Sequence, residues 1–258
     1  MALGIATAGL VAGALAGCGP SEERWESDGV IQAVVWPQGA PDDGEWADDP
    51  WVQAWRRWGL VRFSASAAND YSAARWEGFE STDQQLASLA QSRLRAVERS
   101  WDEEDPVGVS YPPGPAPMYV LAVEELSAVA GGPRSAVVYV CAPLVWSVSD
   151  PADVPTAVDD LDLAVMTGRL QETTGGNIVV VDTGRSSGVR HPVTGVPLLD
   201  EDCDASKIRM GFFDPAPPIG QTVYPWQVLD SQGEPVAEYD AALDGLVAPA
   251  YRDQSDGS

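Results

Sequence analysis

Four prolines in GVSYPPGPAP, positions 108–117, split this chain into two differently patterned parts. Proline has no backbone N–H and clashes inside a helix, so no regular element crosses the stretch. Ahead of it the apolar residues recur at helical spacing. DDPWVQAWRRWGLVRFSASAAND opens with Asp49 as a cap and Pro50 at the first helical position. Trp51, Trp55, Trp58 and Arg62 then fall on one stripe, with Val52, Gly59 and Phe63 beside it. DYSAARWEGF predicts a short helix. STDQQLASLAQSRLRAVERSW predicts a further one, capped by Ser81 or Thr82, with Leu86, Leu89, Leu94 and Val97 apolar. Behind the prolines the period shortens. MYVLAVEEL, SAVVYVCAPLVWSV, GNIVVVD, SKIRMGFF and QTVYPWQVL read as strands bounded by Gly, Pro or Asp. The acidic stretch 150–167, with its DLDLAV alternation, reads as an insertion between strands. Helices followed by strands predict an α+β domain, its N-terminal helices packed against a mainly antiparallel sheet.

Residues 1–17 carry no charge and run through Ala, Leu, Val, Ile and Gly up to Cys18, after which GPSEE is polar. A transmembrane helix needs about 20 apolar residues. This shorter run suits the core of a secretory signal. Leu15-Ala16-Gly17-Cys18 resembles the lipobox of bacterial lipoproteins. The resemblance implies cleavage before Cys18, a diacylglycerol thioether on its sulfur, and a cell-membrane location on the extracytoplasmic face. Two acyl chains hold a protein where one exchanges. No Lys or Arg precedes Arg24, although such signals begin basic, so either the start lies upstream or export is atypical. The chain thus divides into a signal peptide (1–17), an acidic tether (18–47), an α+β domain (48–229) and an acidic tail (230–258). VIQAVVW inside the tether either forms a short strand or packs onto the domain. The tail's Asp, Glu, Gly, Ser and Ala composition predicts disorder.

With 39 acidic against 15 basic residues, the net charge is −24. That balance argues against nucleic-acid binding, which needs basic patches on phosphates, and leaves the lipid as the route to the membrane. Cys141 and Cys203 are the remaining cysteines. An oxidising compartment favours a disulfide between them; two separate buried thiols are the alternative. The single histidine, His191 in RHPVTG, cannot complete a zinc site, and no metal or cofactor is expected. The acidic pairs Asp42-Asp43, Asp48-Asp49, Glu103-Glu104 and Asp159-Asp160 lack the spacing of a calcium loop. IVVVDTGRS matches the hydrophobic-Asp-Thr-Gly element of aspartic proteases, whose chemistry needs two carboxylates sharing a proton. One copy is present, Arg185 replaces the usual small residue, and a strand ending in a turn accounts for it equally. No GxSxG elbow occurs.

Seven of the ten tryptophans fall between residues 25 and 76. Trp55, Trp58, Phe63, Tyr71 and Trp76 either fill a core or line a pocket for a small apolar or glycan-like ligand. The Trp-containing first helix, ANDYSAARW at its end, PPGPAP, and AVVYVCAPLVW as a central strand with cysteine together resemble a group of actinobacterial lipoproteins. Their domain has the cone-shaped α+β fold of nuclear transport factor 2, and the resemblance covers about residues 48–229. The long insertion departs from that family's compact layout. The resemblance implies a curved sheet around the first helix. It also implies a non-enzymatic domain that binds a small ligand or an envelope protein at the cone's open end. The alternative is a hydrolase or isomerase using a pocket acid, for which Asp70 is the best candidate.

Overall fold

In the computed structural model, residues 33–72, 83–100, 108–127, 132–185, 188–221, 223–224 and 227–236 are described. Helix α1 (Pro50–Ala68) begins as its sequence dictates: the Asp49 carboxylate accepts from the Trp51 and Val52 N–H groups at 2.9 and 3.0 Å, and Pro50 occupies the first turn. It ends at Asn69, in the left-handed region at φ 54°, where its N–H reaches back to the Ala65 and Ser66 carbonyls. Helix α2 (Asp83–Ser100) buries Leu86, Ala90, Arg93 and Val97, which share one face. The expected caps Ser81 and Thr82, and residues 73–79 of the expected short helix, lie outside the described residues.

Four antiparallel strands follow in chain order as a meander: β2 (Tyr119–Leu126), β3 (Ser135–Pro143), β4 (Leu163–Glu172) and β5 (Ile178–Arg185). The pairing register shifts between Val120 and Ala122, and between Arg169 and Leu170, irregularities of the bulge kind that raise local twist. A smaller sheet pairs β1 (Ala33–Val35) with β6 (Phe212–Asp214), so VIQAVVW supplies a strand. Strand β1 falls within the stretch expected to be tether. The architecture is α+β, as the order of helical and strand patterns predicts.

Three expectations need correction. The insertion 150–167 runs straight into β4, a central strand paired on both edges, because Ala164 and Val165 are core residues. SKIRMGFF is a strand only at its end; Ala205–Lys207 form a 3₁₀ turn capped by Asp204. QTVYPWQVL forms no strand among the described residues, only an isolated bridge at Leu229. Proline at 225 removes a ladder donor from that segment.

Alternation along β3 sets the layers. Ala136, Val138, Val140 and Ala142 face α1 and pack with Trp51, Val52, Trp55, Leu170 and Val180. The opposite face carries Tyr139 and Cys141. Trp55 lies flat on β4, where a Cβ at Gly168 would collide with its indole, and its Nε1–H donates to the Met118 sulfur at 3.1 Å. Further along α1, Val61 and Ala65 join α2 in a second cluster, and Ala67 joins Val34, Trp36 and Phe213 in a third. The proline-rich segment is a core element: residues 111–115 are buried, the Trp146 indole donates to the Gly114 carbonyl at 2.8 Å, and the Phe213 N–H to the Pro113 carbonyl.

Gly168→Ala should therefore cost about 2 kcal/mol or more in urea unfolding, through overpacking against Trp55. Adding Trp55→Phe should return part of that loss, because the two positions touch. A neutral Gly168→Ala would show that the indole does not lie where described.

On the outer face, the Tyr139 hydroxyl donates to Glu124 at 2.7 Å. Burial, then the Glu124 carboxylate, push its pKa up to about 12. Its folded form holds the proton longer than the unfolded chain, whose tyrosines release it near 10. The stabilisation is whole below pH 10 and is lost as pH climbs through about 12. Tyr139→Phe should flatten that alkaline decline, read as unfolding free energy against pH. An unchanged slope would remove Tyr139 from the cause.

Candidate functional site

Beyond β5 the chain turns back over the outer face of the sheet and is tied down residue by residue. Cys203 is disulfide-bonded to Cys141 of β3, with 5.6 Å between Cα atoms, as expected for paired cysteines. The Tyr119 hydroxyl, on β2, accepts from the Asp204 N–H at 2.7 Å and donates to the Asp202 carbonyl at 3.2 Å. Ile208 is fully buried against Tyr119 and Cys141. Asp200 accepts from the Val165 N–H at 2.8 Å and from Arg185 at 2.6 Å. Those two bonds, the backbone one first, hold its pKa below the usual carboxylate range. Asp204 is likewise lowered by the Ser206 hydroxyl and N–H.

These ties make one wall of a cleft of about 360 Å³, formed by Ser206, Lys207 and Arg209. Tyr119 and Val120 form the floor. The facing wall is the loop ahead of α1, with Asp42, Asp43, Glu45 and Trp46. That loop is fixed too. The Asp43 carboxylate accepts from Nε and Nη2 of Arg56, a bidentate pair that is largely buried. Asp42 accepts from the Gly44 N–H at 2.8 Å, and Trp46 packs against the main cluster.

The charged groups left over are arranged by sign. The Lys207 ammonium stands 5.4 Å over the Tyr119 ring and makes no ion pair among the described residues. Arg209 commits Nη1 to the Ser206 and Ile208 carbonyls at 2.7 and 3.0 Å and has no carboxylate partner among the described residues. Opposite them, Glu45 is exposed and makes no hydrogen bond among the described residues.

Of the aromatic residues expected to share a pocket, Trp55 and Trp58 are brought together, stacked at 5.3 Å and both on the α1–sheet cluster. Arg62 caps the Trp58 ring at 5.1 Å. Phe63 belongs to the β1–β6 cluster and Tyr71 to the α2 cluster, so the four are spread over three cores. Trp76 and Cys18 lie outside the described residues. Asp70 is buried and accepts from the Ser72 N–H and hydroxyl at 3.0 and 2.6 Å. Its neighbour Asn69 accepts from the buried Arg93 at 2.7 Å and donates to the Tyr111 hydroxyl at 3.0 Å, while Arg93 stacks 4.1 Å over the Tyr111 ring. That network joins α1, α2 and the proline segment.

His191 closes a turn, its Nδ1 accepting from the Val193 N–H at 3.2 Å. Asp182 is exposed within β5 rather than in a turn after it. Asp49 caps α1, Asp160 accepts from the Thr156 and Ala157 N–H groups of a local turn, and Glu103-Glu104 lie outside the described residues. Among the described residues no three His, Cys, Asp or Glu converge as metal ligands, and no helix is long and apolar enough to cross a membrane. Comparison with family models, with curated proteins and with solved structures finds no match.

No motif or periodicity in the sequence marks the cleft. One signal was available: the chain's sole lysine lies four positions after Cys203, behind the turn-forming Asp204.

Closing a 62-residue span, the disulfide should contribute about 2–5 kcal/mol, lost in the Cys141→Ser/Cys203→Ser double variant. Amide exchange should quicken over residues 199–210 while α1 keeps its protection. Uniform loss of protection would instead make the bond part of the main core.

Proposed function

We infer that this chain is a lipid-anchored domain on the extracytoplasmic face of a cell membrane, one that binds a small ligand or an envelope partner and catalyses no reaction. The observation that carries the reading is the Cys141–Cys203 disulfide. Such bonds persist in oxidising compartments, and pairing these two leaves Cys18 as the odd cysteine of three, at the end of the apolar run. A diacylated Cys18 supplies two chains at about 0.8 kcal/mol per buried methylene, an anchor that a chain of net charge −24 cannot obtain from an anionic surface.

The absence of catalysis is supported by how the interior is used. The enzymatic alternative needs an acid at the base of an open aromatic pocket. Instead, the space between α1 and the sheet is taken by Trp55 on Gly168, and Asp70 is engaged by Ser72. The helix laid against a four-stranded antiparallel sheet is consistent with the resemblance to lipoproteins with a nuclear transport factor 2-like cone. The ligand surface we favour is the charged cleft, since its polar groups remain available while Trp55 is core.

Cys18→Ser should abolish metabolic lipid labelling and move the protein out of the membrane fraction. Alkylation of the unreduced wild-type protein should find neither Cys141 nor Cys203 free. Labelling that survives the substitution would overturn the anchor.

A further inference from the structure

We propose that the cleft between Glu45 and Lys207 binds a small zwitterion of the amino-acid or dipeptide class, its carboxylate toward Lys207 and Arg209 and its ammonium toward Glu45. The inference rests on the reading of the domain as a binder and adds the ligand's chemistry. Size is the first constraint: about 360 Å³ lies at the low end of small-molecule sites. Sign is the second. Lys207 and Arg209 line one wall without an ion pair among the described residues, the nearby Asp204 carboxylate being turned on Ser206 while it attracts Lys207 only at longer range, and Glu45 lines the other wall without a donor.

Each wall holds its own charges in place by separate means, the disulfide and Tyr119 on one side, Arg56 on the other. The two signs therefore stay apart rather than collapsing into a salt bridge, and a ligand bearing both can complete both. Net charge decides against simpler ligands. A protein at −24 repels a free anion at long range, while a simple cation meets Lys207 and Arg209 in the cleft and finds acidic groups elsewhere on the surface. A zwitterion has no net charge to repel and gains from both walls. Trp46 and Tyr119 cover its aliphatic part.

The test is calorimetric titration of the full-length protein in mild detergent with a panel of glycyl dipeptides, their N-acetyl derivatives and their C-terminal amides. A parent dipeptide should bind, and removing either charge should weaken it about tenfold. Lys207→Met should weaken the parent and the N-acetyl form but leave the amide unchanged. Glu45→Gln should weaken the parent and the amide but leave the N-acetyl form unchanged. Both side chains are exposed, so neither substitution unfolds the domain. Dipeptides that do not bind, or variants that ignore which charge is missing, would overturn the assignment. If a singly charged carboxylate or amine occupies the cleft in their place, the zwitterion fails and the binding reading stands. If none of these compounds titrates, the zwitterion assignment fails alone, and the anchored-domain reading is judged by the Cys18→Ser labelling.

Discussion

Trp55 lies so close to β4 that only glycine fits beneath it at position 168, and the rest of the structure is arranged around that contact. A glycine inside a central strand weakens the strand's own packing and marks close approach by another group. Here the indole supplies the missing contact, bringing α1 onto the sheet while its ring edge reaches Met118 just ahead of β2. Because α1 is held at its first two turns, its later turns project past the sheet. Those turns pack outside the four-stranded sheet's cluster: Val61 and Ala65 meet α2, and Ala67 meets the β1–β6 pair. One helix thereby serves three clusters.

The end of α1 is secured by polar contacts where the apolar ones thin out. Asn69 can take the left-handed backbone, which most residues avoid, and its amide both accepts from Arg93 and donates to Tyr111. A buried guanidinium is costly without partners. Arg93 offsets part of that cost with Asn69, the Ser110 carbonyl at 2.6 Å and the Tyr111 ring, while its Nη2 has no hydrogen-bond partner among the described residues. Asp70 lies beside this network and turns its carboxylate on Ser72, which suits a residue that shapes the chain after α1.

Local rules account for what was legible. Asp49-Pro50 marks the start of α1 because capping is decided within four residues. The β-rich runs give β2, β3 and β5 because each is dense in apolar and β-branched residues and is bounded by Gly, Pro or Asp. β4 is hidden in the sequence by Gly168 and by the acidic residues before Leu163, and the glycine is explained only by a neighbour distant in sequence, Trp55. The cleft was illegible for the same reason. Its residues come from 42–46, 119–120 and 206–209, three segments that no periodicity connects.

The two walls of the cleft depend on different parts of the fold, and this separates stability from site geometry. Asp43 is gripped by Arg56, so the acidic wall moves with α1 and inherits the firmness of the Trp55 cluster. The basic wall has only 3₁₀ turns of its own and borrows its position from β3 through Cys203, from β2 through Tyr119, and from β4 through Asp200. Three attachments to three adjacent strands fix a short loop against translation and rotation alike. Substitutions in the α1 core therefore act on whether the domain folds, and substitutions in residues 199–210 act on where Lys207 and Arg209 stand. Net charge sharpens the second effect. In a chain with 39 acidic residues, cations released from this loop would find carboxylates elsewhere, and it is the strand attachments that keep them in the cleft.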